Sequence, residues 1–360
     1  MSRSRRNLII GLGLLLVIAI AITGTLSWYA SALAGTPPGP PKWFRFFKRT
    51  ELVDALEVLQ KRGVVRNTFA TGIYFSLHQG MRRVAVGTYR VQDGESAQDL
   101  LEALRTPARQ MVRMPETNWA RRDAHLLENH EVAPARDYME IVTNPPSSLA
   151  LLVSFPLPKS GLEGYLFPDT YDFPPLLGAL EVVKMRLRTF DRKVYKPLGM
   201  PPNIGRIVTI ASLIELEAGN DRDRALISGV IQNRLNKGIP LQLDASIVYA
   251  LGKWRRLHFK DYKNVKSPYN LYLHKGLPPT PICSPSLKSI EAAMHPAHHH
   301  YLFYVALPNG ESLFSTTFEE HKKKIKLRLA ALKHAAALAL KKPPIPVPAK
   351  KPKSPAAHKP

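Results

Sequence analysis

Residues 8–28 read L-I-I-G-L-G-L-L-L-V-I-A-I-A-I-T-G-T-L-S-W, 21 positions without a charge. At helical rise such a run spans about 31 Å, the thickness of a bilayer's hydrocarbon core. No later segment is long and apolar enough to do the same. The run constrains the chain more than any other feature, because a spanning helix divides everything else between two compartments. Arg3, Arg5 and Arg6 precede it, so the positive-inside rule puts residues 1–7 in the cytoplasm and everything after Tyr29 outside. Trp28 and Tyr29 suit the outer interface. A cleavable signal peptide is the competing reading, since Ala30-Ser31-Ala32 resembles a cleavage site. The apolar run is long for a signal peptide, which favours an uncleaved transmembrane helix over residues 8–29.

Charge points the same way. The formal net charge is +23 over 360 residues, and residues 322–360 carry twelve Lys and Arg with no acid. An excess of this kind suits an anionic membrane surface or wall polymer as well as nucleic acid. The chain has no zinc finger, helix-turn-helix or aromatic RNA-binding signature, so nucleic acid is not the expected partner. The single cysteine, Cys283, excludes an intrachain disulfide.

Hydrophobic spacing predicts an α+β chain in successive parts. Residues 30–44 form a Pro/Gly linker, expected to be semi-extended and to hold the next domain off the membrane. Residues 45–110 make a small mixed domain: helices over 51–61 and 68–77, a strand over 82–91, and a helix from 97 capped by Ser96. Residues 111–335 form a larger mixed domain. It opens on an extended piece and helices over 119–129 and 135–143. Residues 162–173, L-E-G-Y-L-F-P-D-T-Y-D-F, alternate aromatic rings with acids, which suits either a sugar cleft or a packed loop. Helices follow over 176–190, 203–217, 224–237 and 245–251. Five prolines between 267 and 286 make a rigid, shaped loop. Ser286 caps a helix to 294, Asn309-Gly310 turns a hairpin, and a last helix runs from 318 to about 340. The Lys/Pro/Ala-rich end, 336–360, is expected to be disordered.

The chemistry gathers on one of these helices. Residues 207–219, I-V-T-I-A-S-L-I-E-L-E-A-G, are apolar nearly all round, as in a buried helix. Gly219 and Asn220 supply a left-handed stop. Glu215 and Glu217 therefore lie in the last turn, where burial and the negative end of the dipole both raise a carboxyl pKa. A carboxyl protonated near neutral pH can act as a general acid. Residues two apart face different sides of a helix, so at most one of the pair faces a given cleft. Equally, both can be ordinary helix-end acids held by Arg222, Arg224 or Arg234. The histidines 295 and 298–300 share no helix face and have no carboxylate at ligand spacing, so no metal is expected. No nucleophile elbow, P-loop or dinucleotide fingerprint occurs, and Cys283 has no evident base.

Several spaced motifs resemble the endolytic murein transglycosylases of the YceG-like (MltG) family, single-pass bacterial proteins of the cell wall. They are E-G-Y-L-F-P-D-T-Y (163–171), A-S-L-I-E-L-E (211–217), N-R-L (233–235), L-Q-L-D (241–244), Y-N-L-Y (269–272), G-L-P-P (276–279), A-M-H-P-A (293–297), Y-L-F-Y-V-A (301–306) and F-S-x-T-x-x-E-H (314–321). The resemblance implies that 45–110 is a LysM-like module, with V-G-T-Y-R-V (86–91) as its trace, and that 111–335 is the catalytic domain. It implies lytic cleavage of the β-1,4 bond between N-acetylmuramic acid and N-acetylglucosamine inside nascent glycan strands, leaving 1,6-anhydro ends. Glu217 is then the catalytic acid and afterwards the base, with Glu215 as a possible second acid. Glu163, Asp169, Gln242, Asp244, Tyr269, Asn270 and Tyr272 are the substrate-binding candidates, no cofactor or metal is involved, and peptidoglycan synthases are the neighbours. Leu216 stands where the family often has Lys, and Thr280 where it usually has Gly. The rival readings are a non-catalytic wall-binding scaffold and a pyridoxal-phosphate lyase; an outward-facing anchor and the lack of a Schiff-base lysine oppose the second.

Overall fold

The computed structural model describes residues 3–341. Of the end expected to be disordered, residues 336–341 are instead helical, and the rest, from 342 onward, lies outside the described residues. The fold is mixed α+β and separates into two compact units, Met1–Ile204 and Gly205–Pro360, a division that falls inside the stretch 111–335. The N-terminal helix α1 (Arg3–Leu33) contains the apolar run and extends it at both ends. Its segment Asn7–Leu33 is the one stretch among the described residues long and apolar enough to cross a membrane.

After α1 the first unit builds a small module in the order β1 (Pro41–Phe46), β2 (Thr50–Glu51), α2 (Leu52–Lys61), α3 (Thr68–Gln79), β3 (Arg83–Val84), β4 (Gly87–Gln92) and α4 (Ala97–Ala103). Strands β1 and β4 pair antiparallel, Phe44 opposite Tyr89. Phe44, Leu56, Leu59, Phe75, Tyr89 and Leu100 close the module's core. Ser96 caps α4 in a full capping box with Asp99. Two expectations change here. The strand expected over 82–91 is two strands, because β3 pairs with β2 while β4 pairs with β1. The linker does not stand clear. Its end is β1, the Gly39 amide donates to the Asp93 carbonyl, and Lys42 bridges Asp93 at 2.8 Å. Gly35 lies so close to Gly94 that a Cβ on it would sit 2.1 Å from the Gly94 carbonyl oxygen.

The rest of the unit comprises β5 (Met111–Met114), α5 (Ala120–Asn129), α6 (Ala135–Thr143), β6 (Asp169–Asp172) and α7 (Ala179–Phe190), with β5 and β6 antiparallel. The aromatic stretch 162–173 packs inward: Tyr165, Phe167, Tyr171 and Phe173 are all buried. Arg186 of α7, fully buried, holds this stretch. Its guanidinium donates to the Leu166 and Phe167 carbonyls and pairs with buried Asp123 at 2.6 Å. A buried charge needs this degree of pairing to be tolerated.

The second unit is organised on α8 (Ile204–Glu217). Around it lie α9 (Asp221–Asn236), α10 (Asp244–Leu251), the short α11 (Asp261–Asn264), α12 (Leu287–Met294), the hairpin β7 (Phe303–Ala306) and β8 (Ser312–Ser315), and α13 (Phe318–Lys341). Ile210, Leu213 and Ile214 of α8 pack on Ile227 and Ile231 of α9, with Leu241, Leu243, Leu271 and Ile282 from the connecting loops. The end of α8 differs from expectation. Gly219 is not among the residues with positive φ, and Asn220 is extended and caps α9 by accepting from the Asp223 amide. Glycine is needed at 219 for space: a Cβ there would lie 2.8 Å from the Gly310 carbonyl oxygen at the hairpin turn.

Candidate active site

Glu215 and Glu217 leave α8 on different sides, as residues two apart must. Glu215 is buried in a polar knot. Its Oε2 accepts from the Ser286 amide (2.9 Å), the Ser286 hydroxyl (2.5 Å) and Arg224 (3.2 Å). Every contact is internal, so Glu215 fastens α8 to the starts of α9 and α12.

Glu217 opens instead on a cavity of about 340 Å³. Its carboxyl accepts from the Tyr304 hydroxyl of β7 at 2.8 Å. Burial, the main cause, pushes its pKa up to about 7. The nearby Asp244 charge adds to the rise, while the hydrogen bonds from Tyr304 and from the Ala245 amide hold it back. A carboxyl tuned to this range is half protonated at neutral pH, able both to give a proton and to take one back.

Asp244 is the second acid at the cavity and the first residue of α10. Its two oxygens accept from the Tyr272 hydroxyl at 2.7 Å and the Tyr262 hydroxyl at 3.3 Å. Gln242 also lines the cavity, with a left-handed backbone (φ 55°). That costly conformation is held by a bond from the Gln242 amide to the Leu271 carbonyl and by Arg234. Arg234 donates to the Pro240 and Leu241 carbonyls, both at 3.0 Å, to Gln242 Oε1 at 3.2 Å and to Leu302, and lies over the Phe303 ring.

Of the residues singled out in the sequence, the cavity brings together Glu217, Gln242, Asp244 and Tyr272. Tyr269 and Asn270 do not line it. Tyr269 shares a 2.8 Å hydrogen bond with Thr280. Asn270, fully buried, donates to the Tyr262 and Val265 carbonyls and accepts from the Tyr272 amide, which fixes the loop carrying both tyrosines. Glu163 and Asp169 belong to the first unit. Glu163 accepts from the Ala120 amide at the start of α5, and Asp169 pairs with Lys193.

Tyr304, Arg234, Phe303, Phe318 and His321 also line the cavity; sequence reasoning named Arg234 only as a possible partner of the helix-end acids and gave the other four no role. The signal was present, because all five lie within motifs quoted above or next to them. His321 Nδ1 is buried without a hydrogen-bond partner, and burial, helped by Arg234 and Lys324, lowers the ring's pKa. Among the described residues no group of three or more His, Cys, Asp or Glu is placed to hold a metal ion.

Residues 47–327 match the YceG-like family. The chain belongs to that family. Two relatives, both endolytic murein transglycosylases, come from Bacillus subtilis (strain 168) and Streptococcus pneumoniae (strain D39). The first is 42% identical over 172 residues, 46% of this chain and 47% of the relative. The second is 29% identical over 304 residues, 74% of this chain and 54% of the relative. This YceG-like chain thus spans about half the length of the curated relatives it matches. A crystal structure of a YceG-like protein from Listeria monocytogenes aligns with a TM-score of 0.52 at 26% identity, over 79% of this chain and 99% of that one.

Proposed function

We propose that this YceG-like protein is a membrane-anchored endolytic lytic transglycosylase of peptidoglycan. The observation that carries the reading is Glu217, a carboxyl raised to about 7 at a cavity it shares with Asp244. The relatives named endolytic murein transglycosylases supply the substrate class.

In the proposed reaction, protonated Glu217 gives its proton to the oxygen linking N-acetylmuramic acid to N-acetylglucosamine. The C1–O4 bond breaks, and the electron pair leaves with the N-acetylglucosamine oxygen. The muramyl C1 becomes oxocarbenium-like. Asp244, held by two tyrosine hydroxyls, faces this developing positive charge and stabilises it. Glu217, now a carboxylate, takes the proton from the muramyl C6 hydroxyl, and O6 closes on C1. A 1,6-anhydro ring forms, Glu217 regains its proton, and no water is consumed. Gln242 and Tyr272 bind sugar hydroxyls beside the reacting bond. Tyr304 and Arg234 act through others: Tyr304 orients the Glu217 carboxyl, and Arg234 keeps the strained Gln242 backbone in place. Glu215 has no part in the chemistry.

The order β1-β2-α2-α3-β3-β4, in which the antiparallel pairs β1–β4 and β2–β3 flank two helices along the chain, supports reading residues 45–110 as LysM-like. The apolar segment of α1, with Arg3, Arg5 and Arg6 before it, supports a single-pass anchor with the N-terminus inside. An enzyme so held would meet nascent strands beside the synthases that extrude them.

The test is mass spectrometry of newly polymerised glycan digested by the detergent-solubilised chain, with Glu217→Gln and Glu215→Gln alongside. Anhydro-ended fragments from wild type, none from Glu217→Gln, and some from any Glu215→Gln that folds are expected. A silent Glu215→Gln beside an active Glu217→Gln would reassign the acid. Reducing ends would make the protein a hydrolase. Binding without cleavage by all three would make it a scaffold.

A further inference from the structure

The loop 253–266 leaves α10 and passes through α11, and the chemistry assigned to Glu217 does not use it. It carries six Lys and Arg against one acid. Phe259 is 80% exposed and Trp254 58% exposed. Lys253, Arg256, Lys260 and Lys263 are exposed around them. The Lys263 ammonium lies 5.7 Å from the Phe259 ring centre. The single acid, Asp261, is buried and takes two hydrogen bonds from Arg255 (2.7 and 2.9 Å) and one from the His258 amide (2.7 Å). The loop is thus braced from inside and presents rings and cations outward.

That combination selects a partner. Ammonium and guanidinium groups only donate, so their complement is anionic. A phenylalanine ring has no polar atom and gains by leaving water. The surface that offers both properties is the headgroup and upper-chain region of an anionic phospholipid bilayer. We infer that loop 253–266 docks on anionic phospholipid, with Trp254 and Phe259 entering the interface and Lys253, Arg256, Lys260 and Lys263 on headgroup phosphates.

The inference rests on the reading of α1 as a membrane anchor, since a tether converts a weak interfacial contact into an intramolecular one. Docking also bears on the cavity. Tyr262 of the loop donates to Asp244, and Asn270 grips the carbonyls of Tyr262 and Val265. A loop seated on the bilayer holds the rim of the Glu217 cavity at the membrane surface, where a strand emerges.

The test uses the full chain with an environment-sensitive fluorophore on Phe259→Cys; native Cys283 is buried and leaves the label specific. A control carries the label on Ile18→Cys in α1. Both are reconstituted into vesicles of mixed phosphatidylglycerol and phosphatidylcholine, and of phosphatidylcholine alone. In the anionic vesicles the loop label shifts to the blue and is quenched by spin-labelled lipid. The effect is several-fold weaker in phosphatidylcholine or high salt. It is lost in Lys253→Glu/Arg256→Glu/Lys260→Glu/Lys263→Glu, which still cleaves glycan in detergent. A loop label that stays in water while the Ile18 label is quenched overturns the docking and leaves the anchor standing. Neither label quenched removes the anchor, and the docking with it. A loop label that responds to added peptidoglycan but not to anionic vesicles overturns the inference in favour of the wall polymer.

Discussion

Glu217 has a folded-state pKa of about 7 against an ordinary value of 4.5, and both rate and stability follow from it. The proton-donating form is lost as pH rises, so kcat/KM should fall tenfold per unit above about pH 7. Asp244→Asn removes the like charge and should move that alkaline limb to lower pH, with a loss of roughly a hundredfold in kcat. Tyr304→Phe removes a hydrogen bond to the carboxylate and should move the limb to higher pH. Opposite shifts in the two pH–rate profiles would check the pairings; a limb that neither variant moves would show that Glu217 does not set it. Stability follows with its own sign. Between about pH 4.5 and 7 the folded state holds a proton that the unfolded state has lost, so stability falls as pH rises through this window, by ~3 kcal/mol, and is level above it. Glu217→Gln never ionises and should escape the loss. Its melting temperature should exceed wild type at pH 8 and approach it at pH 4.5, as calorimetry would read. Part of this residue was legible in advance, because burial of an acid at the end of an apolar helix disfavours its charge. Tyr304 was not. Its hydroxyl reaches Glu217 from 87 residues away along the chain, and only the hairpin's docking brings the two together.

Elements with strong local signals matched their expected places. Helix α8 follows from its apolar sequence, α4 from Ser96, α12 from Ser286, and the β7–β8 hairpin from Asn309-Gly310. Elements defined by distant partners did not. Strand β1 begins in a Pro/Gly stretch and exists because β4, nearly 50 residues on, pairs with it. The same distant pairing divides the expected strand at residues 85–86. The motif around 163–171 also read ambiguously, because whether its rings bind sugar or pack inward depends on Arg186, a residue outside it. The junction of α8 with the hairpin offers a direct check. Gly219→Ala places a methyl against the Gly310 carbonyl, and overpacking of this kind costs about 1–3 kcal/mol. Because the displaced hairpin carries Tyr304, activity should fall with stability. A variant that is destabilised yet fully active would show that the hairpin's position does not matter to Glu217.

At the scale of the whole molecule, the chain joins one apolar helix, a small module with its own core, and a unit organised on α8. The apolar helix was the most legible part, since its length and lack of charge decide what it can do. The division at residue 204 was not legible, because the Pro- and Gly-rich stretch 197–205, P-L-G-M-P-P-N-I-G, is short enough to read as no more than the turn before α8, which begins there. If α1 spans the bilayer, alkaline carbonate should leave the full chain in the membrane pellet, and only detergent should release it. Release by carbonate would remove the anchor.

The single thiol also has a use at this scale. Cys283 is fully buried against α8, its sulfur donating to the Ser212 carbonyl, five residues before Glu217. A thiol reagent can meet it only when the packing behind the active helix opens. The rate of its modification is therefore a clock already fitted to the protein. Read with and without glycan, it times how often the floor beneath Glu217 comes apart, and whether a bound strand slows it.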